Sequence, residues 1–243
     1  MKLLKLIKGR LSSKLVNHGK NKIEISFKKV YKYNIRFKGQ NNTIKAGNNF
    51  NCSNLELRVI GNNNKIVIGD NLCAKKFLVI LYGDNNTITL GNNIKVDEAL
   101  EIHSHHIASG KVVEIKDKAS FVKTQIVNID PNARVFIGED CMFAGDTTVY
   151  NTDSHSIFQD GKLINQAKDL IVGNHVWVCG NVNILKNSDI ADGCILARNA
   201  LVSGKFETKN AVIAGLPAKV IKTGIVWDRK SVAETIAETK QGV

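Results

Sequence analysis

Residues 172 to 202 read VGNHVWVCGNVNILKNSDIADGCILARNALV, and this stretch decides the fold. A six-residue period gives one short flat strand per repeat, and three such strands close one coil of a solenoid. Residues that accept tight turns, such as Asp192, Gly193 and Asn199, stand between the strands. The stretch therefore predicts an all-β, three-walled parallel β-helix. The aliphatic residues that recur every six positions are Val172, Val178, Ile184, Ile190, Leu196 and Val202.

A second repeat lies upstream and has a longer period. The segments GQNNTIKAGNN, GNNNKIVIGDN and GDNNTITLGNN begin at Gly39, Gly61 and Gly83. Their Gly and Asn residues enter left-handed backbone conformations at the least cost, so they suit the corners of stacked coils. This period is longer than three six-residue repeats, and we expect bulges, small loops or another irregularity to take up the difference.

Two further segments depart from the repeat pattern, one within the solenoid and one after it. Residues 144–170 are polar and break the period, as expected for an excursion from one face, often the binding face. The spacing Ser231-Val-Ala-Glu234 predicts a capped helix near the C-terminus. We therefore divide the chain into a basic cap over residues 1–38, a β-helix over residues 39–222 and a tail with a helix over residues 223–243.

Composition excludes several classes of protein. The chain has 27 Asn and 27 Ile but only 2 Pro, a mixture that favours strands and turns over helical bundles. Its five cysteines are scattered, without a CxxC pair, which predicts neither a disulfide framework nor a zinc knuckle and favours a reducing cytoplasm. No apolar run is long enough to span a bilayer, and lysines interrupt what would be a signal peptide.

The net charge of +12 is concentrated at the N-terminus. Residues 1–38 hold twelve Lys or Arg and one acid, Glu24. Leucines and an isoleucine recur at helical spacing between Leu3 and Leu15, which fits a short helix on an anionic membrane surface at the inner face of the membrane, or a helix packed on the protein body. No nucleic-acid motif accompanies the charge, so we expect no nucleic-acid partner.

The period from Val172 to Val202, the segment NTDSHSI, the element VGNHVWVCG and the tail AVIAGLPAKVI together resemble the hexapeptide-repeat acyltransferases. The resemblance is strong over about residues 135–222, and within the family it is greatest to the enzymes that O-acetylate sugars. It implies a left-handed parallel β-helix, a homotrimer with active sites between subunits, and acetyl-CoA as the acetyl donor.

By the same resemblance, His155 is the catalytic histidine. A hydroxyl is a poor nucleophile, and a neutral imidazole can take its proton near pH 7 while the oxygen attacks the thioester directly. Asn151 and Asp153 precede His155 with alternating spacing, so in an extended segment all three would project to one side. They could hold the acceptor or orient the imidazole, or they could simply form a turn.

Six further residues match positions that contact the coenzyme in the family. Trp177 would lie beside the coenzyme and acceptor channel, or could instead be a core or interface aromatic. The backbone N–H of Gly180 would face the thioester. The segment around Arg198 departs from the family pattern, and Arg198 points either to solvent or toward phosphate. The predicted coenzyme-binding residues are Trp177, Gly180, Ala197, Arg198, Lys219 and Lys222.

The remaining histidines do not predict a metal site. His103 and His105 would face one way on a strand, but a third ligand at a defined spacing is missing, and the role of His106 is open. The histidine spacing that γ-class carbonic anhydrases require is also absent. We interpret His175 as a residue at a coil corner.

These features lead to one main function and three alternatives. The main hypothesis is a cytoplasmic O-acetyltransferase that uses acetyl-CoA to modify an acidic bacterial surface polysaccharide, such as capsule or lipopolysaccharide, or its precursor. The basic N-terminus motivates the anionic acceptor. The alternatives are N-acetylation of an amino sugar nucleotide, O-acetylation of an antibiotic, and a non-catalytic solenoid scaffold.

Overall fold

The computed structural model describes residues 13–105 and 108–241. The first strands are β1 (Lys14–His18), β2 (Lys22–Lys38), β3 (Thr43–Ile60), β4 (Lys65–Ile68), β5 (Cys73–Tyr82), β6 (Thr87–Leu90), β7 (Lys95–Ser104), β8 (Val112–Ile115) and β9 (Ser120–Val127). They are followed by β10 (Arg134–Ile137), β11 (Met142–Phe143), β12 (Thr147–Tyr150), β13 (Phe158–Gln159), β14 (Lys162–Leu163), β15 (Leu170–Val172), β16 (Trp177–Val178) and β17 (Asn183–Leu185). The last elements are β18 (Asp189–Ile190), β19 (Ile195–Leu196), β20 (Leu201–Val202), β21 (Lys205–Phe206), β22 (Val212–Gly215), β23 (Ala218–Lys222) and α1 (Val232–Gln241).

The strands stack in parallel register along three walls, as predicted. The first wall holds β4, β6, β8, β10, β15, β18 and β21. The second holds β11, β16, β19 and β22, and the third holds β12, β17 and β20. The long strands β2, β3, β5, β7 and β9 bend through corners and contribute to more than one wall.

The predicted aliphatic ladder forms the core. Val172 pairs in register with Ile190, Val178 with Leu196, and Ile184 with Val202, and all six side chains are buried. Burying one such side chain contributes about 1.5–3 kcal/mol, so a continuous column of them stabilises every coil against its neighbours. Upstream, Ile44, Ile66 and Ile88 form an equivalent column in the first wall.

The longer upstream period has a definite cause, which is a longer third wall. In β3 this wall buries Leu55, Leu57 and Val59, whereas β20 buries only Val202 on the same wall. Bulges also occur where β5 and β7 bend from the second wall to the third. Equivalent residues are therefore 22 positions apart in the upstream coils and 18 apart farther on.

The walls meet at three edges: edge A joins the first wall to the second, edge B the second to the third, and edge C the third to the first. Each edge is a column of residues with positive φ. Asn71 (φ 61°) stands at edge A, Asn181 (φ 59°) at edge B and Asn63 (φ 56°) at edge C. Asparagine adopts this left-handed conformation more readily than other non-glycine residues, which explains its abundance in the sequence.

Edge C is also held by a ladder of buried asparagines. The Oδ1 atom of Asn42 accepts hydrogen bonds from the backbone N–H and the Nδ2 of Asn64 (3.0 and 2.9 Å), and Asn64 serves Asn86 in the same way. Nδ2 of Asn64 also donates to the carbonyl of Gly83 (2.8 Å). Each ladder residue satisfies buried backbone groups where the chain leaves the third wall, groups that would otherwise be costly to bury.

Lys111 takes the next ladder position. Its backbone N–H donates to Oδ1 of Asn86 (2.9 Å), and its Nζ donates to the carbonyls of Tyr82 (2.8 Å) and Ser104 (3.0 Å). Burial lowers the pKa of Lys111 to about 8. A lysine thus replaces asparagine at this ladder position, in a coil that is longer than its neighbours.

Two predicted boundaries change. The stack begins before residue 39, because β1 and β2 already pair in register with the following coils, so the boundary at residues 38 and 39 falls inside the solenoid. The helix predicted between Leu3 and Leu15 is wrong at its end, since Leu15 lies in β1. The rest of that prediction falls on residues 1–12, outside the described residues.

The excursion is shorter than predicted. Residues 147–150 form β12 within the third wall, and the chain leaves the stack only between β12 and β15. The excursion carries the antiparallel pair β13 and β14.

The capped helix is confirmed at α1. The Glu234 carboxylate accepts hydrogen bonds from the N–H and hydroxyl of Ser231, and the Glu234 N–H donates back to the hydroxyl of Ser231. In the described part of the chain, no helix has the length and apolar character needed to cross a bilayer.

The asparagine ladder makes a testable prediction. Asn64→Ala leaves the backbone N–H and side-chain amide of Asn86 and the carbonyl of Gly83 without their partner, so unfolding free energy should fall by about 2 kcal/mol or more. Chemical denaturation measures the loss. Asn54→Ala, at an exposed strand position, is the matched control and should change stability by less than about 0.5 kcal/mol. Equal effects of the two variants would contradict a special role for the ladder.

Candidate active site

His155 lies at edge C, at the start of the excursion. The preceding Ser154 has φ 65°, and the His155 N–H donates to the carbonyl of Asp153 (2.7 Å). Nδ2 of Asn165 donates to the carbonyl of His155 (2.7 Å). The backbone is therefore fixed on both sides while the imidazole is exposed to solvent.

The imidazole borders a cleft of about 510 Å³. One side of the cleft comes from residues 130–132 of the preceding coil, and the other comes from the excursion itself. Beneath the cleft, the buried Thr152 hydroxyl joins two of its lining residues: it donates to the Asp130 carboxylate and accepts from the Ser154 N–H (2.9 Å). These contacts place a polar, open space beside a candidate base.

Asp153 holds the two ends of the excursion together. Its Oδ2 accepts hydrogen bonds from Lys186 Nζ (2.5 Å) and Asn165 Nδ2 (3.0 Å), and the lysine also donates to the Asn165 carbonyl (3.0 Å). The hydrogen bond from Lys186 holds the pKa of Asp153 below its usual value. The carboxylate thus anchors the loop, and its described contacts are with Lys186 and Asn165.

Asn151 is placed differently from the prediction. It is fully buried, and its Nδ2 donates to Oδ1 of Asn128 (3.0 Å), the buried residue at the equivalent position of the preceding coil. The prediction that Asn151, Asp153 and His155 project to one side is wrong, because the chain turns between Thr152 and Ser154 and is not extended there. Asn151 therefore does not border the cleft.

The residues predicted to contact the coenzyme gather near edge B. Trp177 lies on the outer face of the second wall, with Gly180 just beyond it at the edge. The Asn199 N–H donates to the Gly180 carbonyl (3.2 Å), which stacks Arg198 next to this glycine. The Ala197 N–H in turn donates to the Ile213 carbonyl (2.8 Å).

The two lysines follow on the exposed strand β23, which pairs antiparallel with β22. Lys219 lies opposite Ala214, close to the end of edge B, while Lys222 lies opposite Val212, farther along the second wall. Both side chains are exposed. The described fold therefore brings Trp177, Gly180, Ala197, Arg198 and Lys219 to one side of the molecule, with Lys222 at the far end of the hairpin.

The glycines of edge B are not required by the chain itself. A Cβ atom at Gly180 would lie 3.5 Å from the Gly145 carbonyl oxygen and 3.7 Å from the Arg198 guanidinium, which is ordinary contact. At Gly173, on edge A, a Cβ would lie within 2.8 Å of the backbone of the next coil. Edge A thus needs its glycine for stacking, whereas Gly180 leaves open space that another molecule could approach closely.

Trp177 is half-buried beside a strap formed by residues 225–230. The Trp227 ring lies 5.9 Å from that of Trp177 and stacks on His175 at 4.0 Å. His175 Nδ1 bonds with Asp140 Oδ2 (2.7 Å), and Arg229 Nε donates to Asp140 Oδ1 (2.7 Å). Burial favours the neutral acid, but the bonds from Arg229 and His175 hold the pKa of Asp140 below its usual value.

His175 stands at edge A with φ 52°, so its interpretation as a corner residue is confirmed. Sequence reasoning missed the strap because Trp227 and His175 are 52 positions apart. It also missed Asn165 and Lys186, whose contacts with Asp153 likewise cross the excursion.

The histidine cluster stands apart from both places. His103 Nε2 bonds with Glu101 Oε2 (3.2 Å), and the His103 and His105 rings meet edge to face at 6.3 Å. His106 lies outside the described residues. Within residues 13–105 and 108–241, no three His, Cys, Asp or Glu side chains are grouped to hold a metal ion.

His155 and the edge B residues lie on different edges of one chain. The imidazole follows the third wall at edge C, and Gly180 lies where the second wall passes into the third. The candidate base and the predicted coenzyme site are therefore separate on a single chain, and we call them the two candidate half-sites.

No protein-family model matches the chain. A polysialic acid O-acetyltransferase from Neisseria meningitidis is 35% identical over 112 residues, which are 45% of this chain and 52% of that protein. Another, from Escherichia coli O1:K1, is 36% identical over 115 residues, which are 46% of this chain and 37% of that protein. The chain thus spans about half the length of these curated relatives or less.

Among solved structures, the polysialic acid O-acetyltransferase OatWY matches with a TM-score of 0.66 and 28% identity, over 93% of this chain and 96% of that one. The structural match extends across the upstream coils and is not confined to the six-residue repeats. These similarities agree with the resemblance of the motifs to the hexapeptide-repeat acyltransferases, and the fold is the predicted left-handed parallel β-helix.

Proposed function

We propose that this protein transfers an acetyl group from acetyl-CoA to a hydroxyl of an acidic bacterial surface polysaccharide or its precursor. The observation that carries the proposal is the match with two polysialic acid O-acetyltransferases in a chain whose exposed His155 borders an open polar cleft. The acceptor and the donor both come to this chain from its relatives and from the resemblance of its motifs. The cytoplasmic location stays a prediction from the cysteines.

In the proposed reaction His155 takes the proton of the acceptor hydroxyl. The freed oxygen attacks the thioester carbonyl carbon, a C–O bond forms, the C–S bond breaks, and the sulfur leaves to take up a proton from the imidazolium. The protein returns to its starting state, and coenzyme A leaves as its thiol. Fixing the loop through Asn165 and Asp153 holds the imidazole in place without using its ring nitrogens for the structure.

Edge B is the proposed donor site. The space at Gly180 lets a thioester come close enough for the glycine N–H to donate to the developing oxyanion. Trp177 would border the acyl group, and Ala197 and Arg198 would line the path of the pantetheine arm. Lys219, near the end of edge B, and Lys222, farther along the second wall, are exposed cations that suit the coenzyme phosphates.

We further propose that the protein is a homotrimer in which His155 of one subunit meets edge B of another. The separation of the two half-sites within one chain supports this arrangement. So does the excursion that carries His155, because it exposes apolar side chains that a second copy would cover. The exposed fractions are 50% for Ile157, 64% for Phe158, 41% for Leu163 and 56% for Ile164.

The proposed partners of residues 1–38 are the acidic acceptor and the surface of a membrane. The described part of this segment lies in β1 and β2 and adds basic side chains to the first coils.

We predict that His155→Ala lowers acetyl transfer by about 10²- to 10⁴-fold, the usual contribution of a general base. Thiol release from acetyl-CoA measures the rate, with acidic polysaccharides, free sugars, sugar nucleotides and antibiotics as acceptors. The trimer and coenzyme binding should persist, because the ring is exposed and its described hydrogen bonds are through its backbone. Lys162→Ala, an exposed change on the same excursion, should keep nearly full activity.

Three results would count against the proposed function. Near-normal turnover by His155→Ala would remove the histidine from the mechanism. Thiol release only with small amines or antibiotics would overturn the polysaccharide acceptor, and a protein that binds coenzyme A but transfers to nothing would favour a scaffold.

We predict that Gly180→Ala raises the KM for acetyl-CoA at least tenfold while the melting temperature stays nearly unchanged. The added methyl group fits within the chain but occupies the proposed donor path. Gly173→Ala is the matched control and should destabilise the protein, because its methyl would meet backbone atoms of the next coil. A Gly180→Ala variant with normal kinetics would contradict the donor site at edge B.

A further inference from the structure

A cleft with an excess of positive charge lies on the outer face of the third wall, in the first coils of the stack. It has a volume of about 370 Å³. Arg36 of β2 and Arg58 of β3 are in-register neighbours in this wall and both line the cleft. Adjacent parallel strands are about 4.8 Å apart, so two guanidinium groups on neighbouring strands repel each other unless an anion lies between or beside them.

The described residues neutralise these arginines poorly. Arg36 Nε donates to the neutral Asn34 Oδ1 (3.1 Å). Arg58 pairs with Glu56 at 3.6 Å, which is long for a charge-assisted hydrogen bond, and its contact with the Tyr82 hydroxyl is 3.5 Å. Its Nε is buried and has no acceptor in the described part of the chain.

Two lysines and a histidine surround the pair. Lys14 and Lys38 line the same cleft, and His18 lies in register with Lys38. Glu56 is the carboxylate in contact with Arg58. It lies in the neighbouring in-register column, on the strand after those of Lys14 and Asn34. Planar guanidinium groups bind carboxylates with two parallel hydrogen bonds, so the cleft suits a carboxylate better than a neutral sugar.

The third wall connects this cleft to the proposed reaction centre. The in-register column that starts at Glu56 continues through Leu78, Glu101 and Gln125 to Thr148, which is four strand spacings or roughly 19 Å. Gln125 and Thr148 line a second cleft of about 250 Å³ that reaches edge B at Asp146, which pairs with Lys123. A stretch of several sugars could therefore reach from the arginines to the donor site.

The one acidic side chain midway along this column is neutralised. Glu101 pairs with Lys76 and with His103 Nε2 (3.2 Å), and although burial favours the neutral acid, these bonds hold the pKa of Glu101 below its usual value. A carboxylate already engaged by two partners repels a passing anionic polymer less than a free one would.

We propose that Arg36 and Arg58 form a distal subsite that binds a carboxylate of an anionic polysaccharide while another sugar of the same chain occupies the cleft at edge B. This subsite rests on the proposed function for its acceptor class, but its binding step is separate from transfer. It makes the protein select polymers over short acceptors, because only a polymer engages both clefts at once. Arg36 and Arg58 are positioning residues in this scheme and do not touch the reacting atoms.

The test compares two double variants. One carries Arg36→Gln and Arg58→Gln, and the control carries Lys45→Gln and Lys65→Gln. The control removes two charges from exposed first-wall positions in the coil of Arg58 and in the next coil, so net charge is matched. Binding to immobilised polysialic acid, polygalacturonate and neutral dextran is measured with the full chain, and acetyl transfer is measured with polysialic acid and with its dimer.

We expect the arginine variant to bind at least one of the two acidic polymers about tenfold or more weakly than the control does, and to show a weaker dependence on salt. Its transfer to the dimer should match the control. Arg36→Lys with Arg58→Lys should bind with intermediate strength, since it keeps the charge but loses the two-pronged geometry. Melting temperatures confirm that each variant is folded.

Polymer binding equal to that of the control, binding as strong to dextran as to the acidic polymers, or binding to none of them by the wild type would each overturn the subsite. The proposed function fails separately. If polymer binding depends on the arginines but no acetyl transfer occurs, the subsite stands and the proposed acetyltransferase activity fails. If acetyl transfer to the polymer occurs but is the same in the arginine variant and the control, the activity stands and the subsite fails.

Discussion

The structure depends on one constraint, which is that every coil must place its backbone in hydrogen-bonding register with the coils before and after it. In a parallel sheet wound on itself, each corner must stack on the corner of the coil before it. Left-handed corner residues such as Asn63 and Asn181 make each turn at the same place, and the buried asparagines at edge C satisfy the backbone groups that the turn releases. Loss of register in one coil would leave polar groups of both neighbours buried without partners.

The same constraint determines where function can be added. Inserted chain can leave the stack only at an edge, and edge C carries the excursion with His155 while the strands beside it keep their register. Edge A is closed by tight glycine contacts and by the Trp227 strap, whereas edge B leaves room around Gly180. A candidate base on one edge and an open groove on another suit the proposed active site between two copies of the chain.

The sequence predicts the features that repeat. The ladder from Val172 to Val202, the Gly and Asn corners and the capped helix at Ser231 follow from local patterns, and the structure confirms them. It did not predict the buried position of Asn151, because that depends on a single turn at Ser154. The pairing of Lys186 with Asp153, 33 positions apart, and the ladder role of Lys111 depend on which coils become neighbours, which no local pattern specifies.

The most direct measurement of the central claim is subunit complementation. Two inactive chains, His155→Ala and Gly180→Leu, are coexpressed with different tags, and mixed oligomers are purified. If each site takes its imidazole from one subunit and its donor groove from the next, one of the three sites in every mixed trimer receives both intact parts, and about a third of wild-type acetyl transfer returns. If mixed oligomers stay as inactive as either parent, the base and the groove do not meet across a subunit boundary, and the account is contradicted.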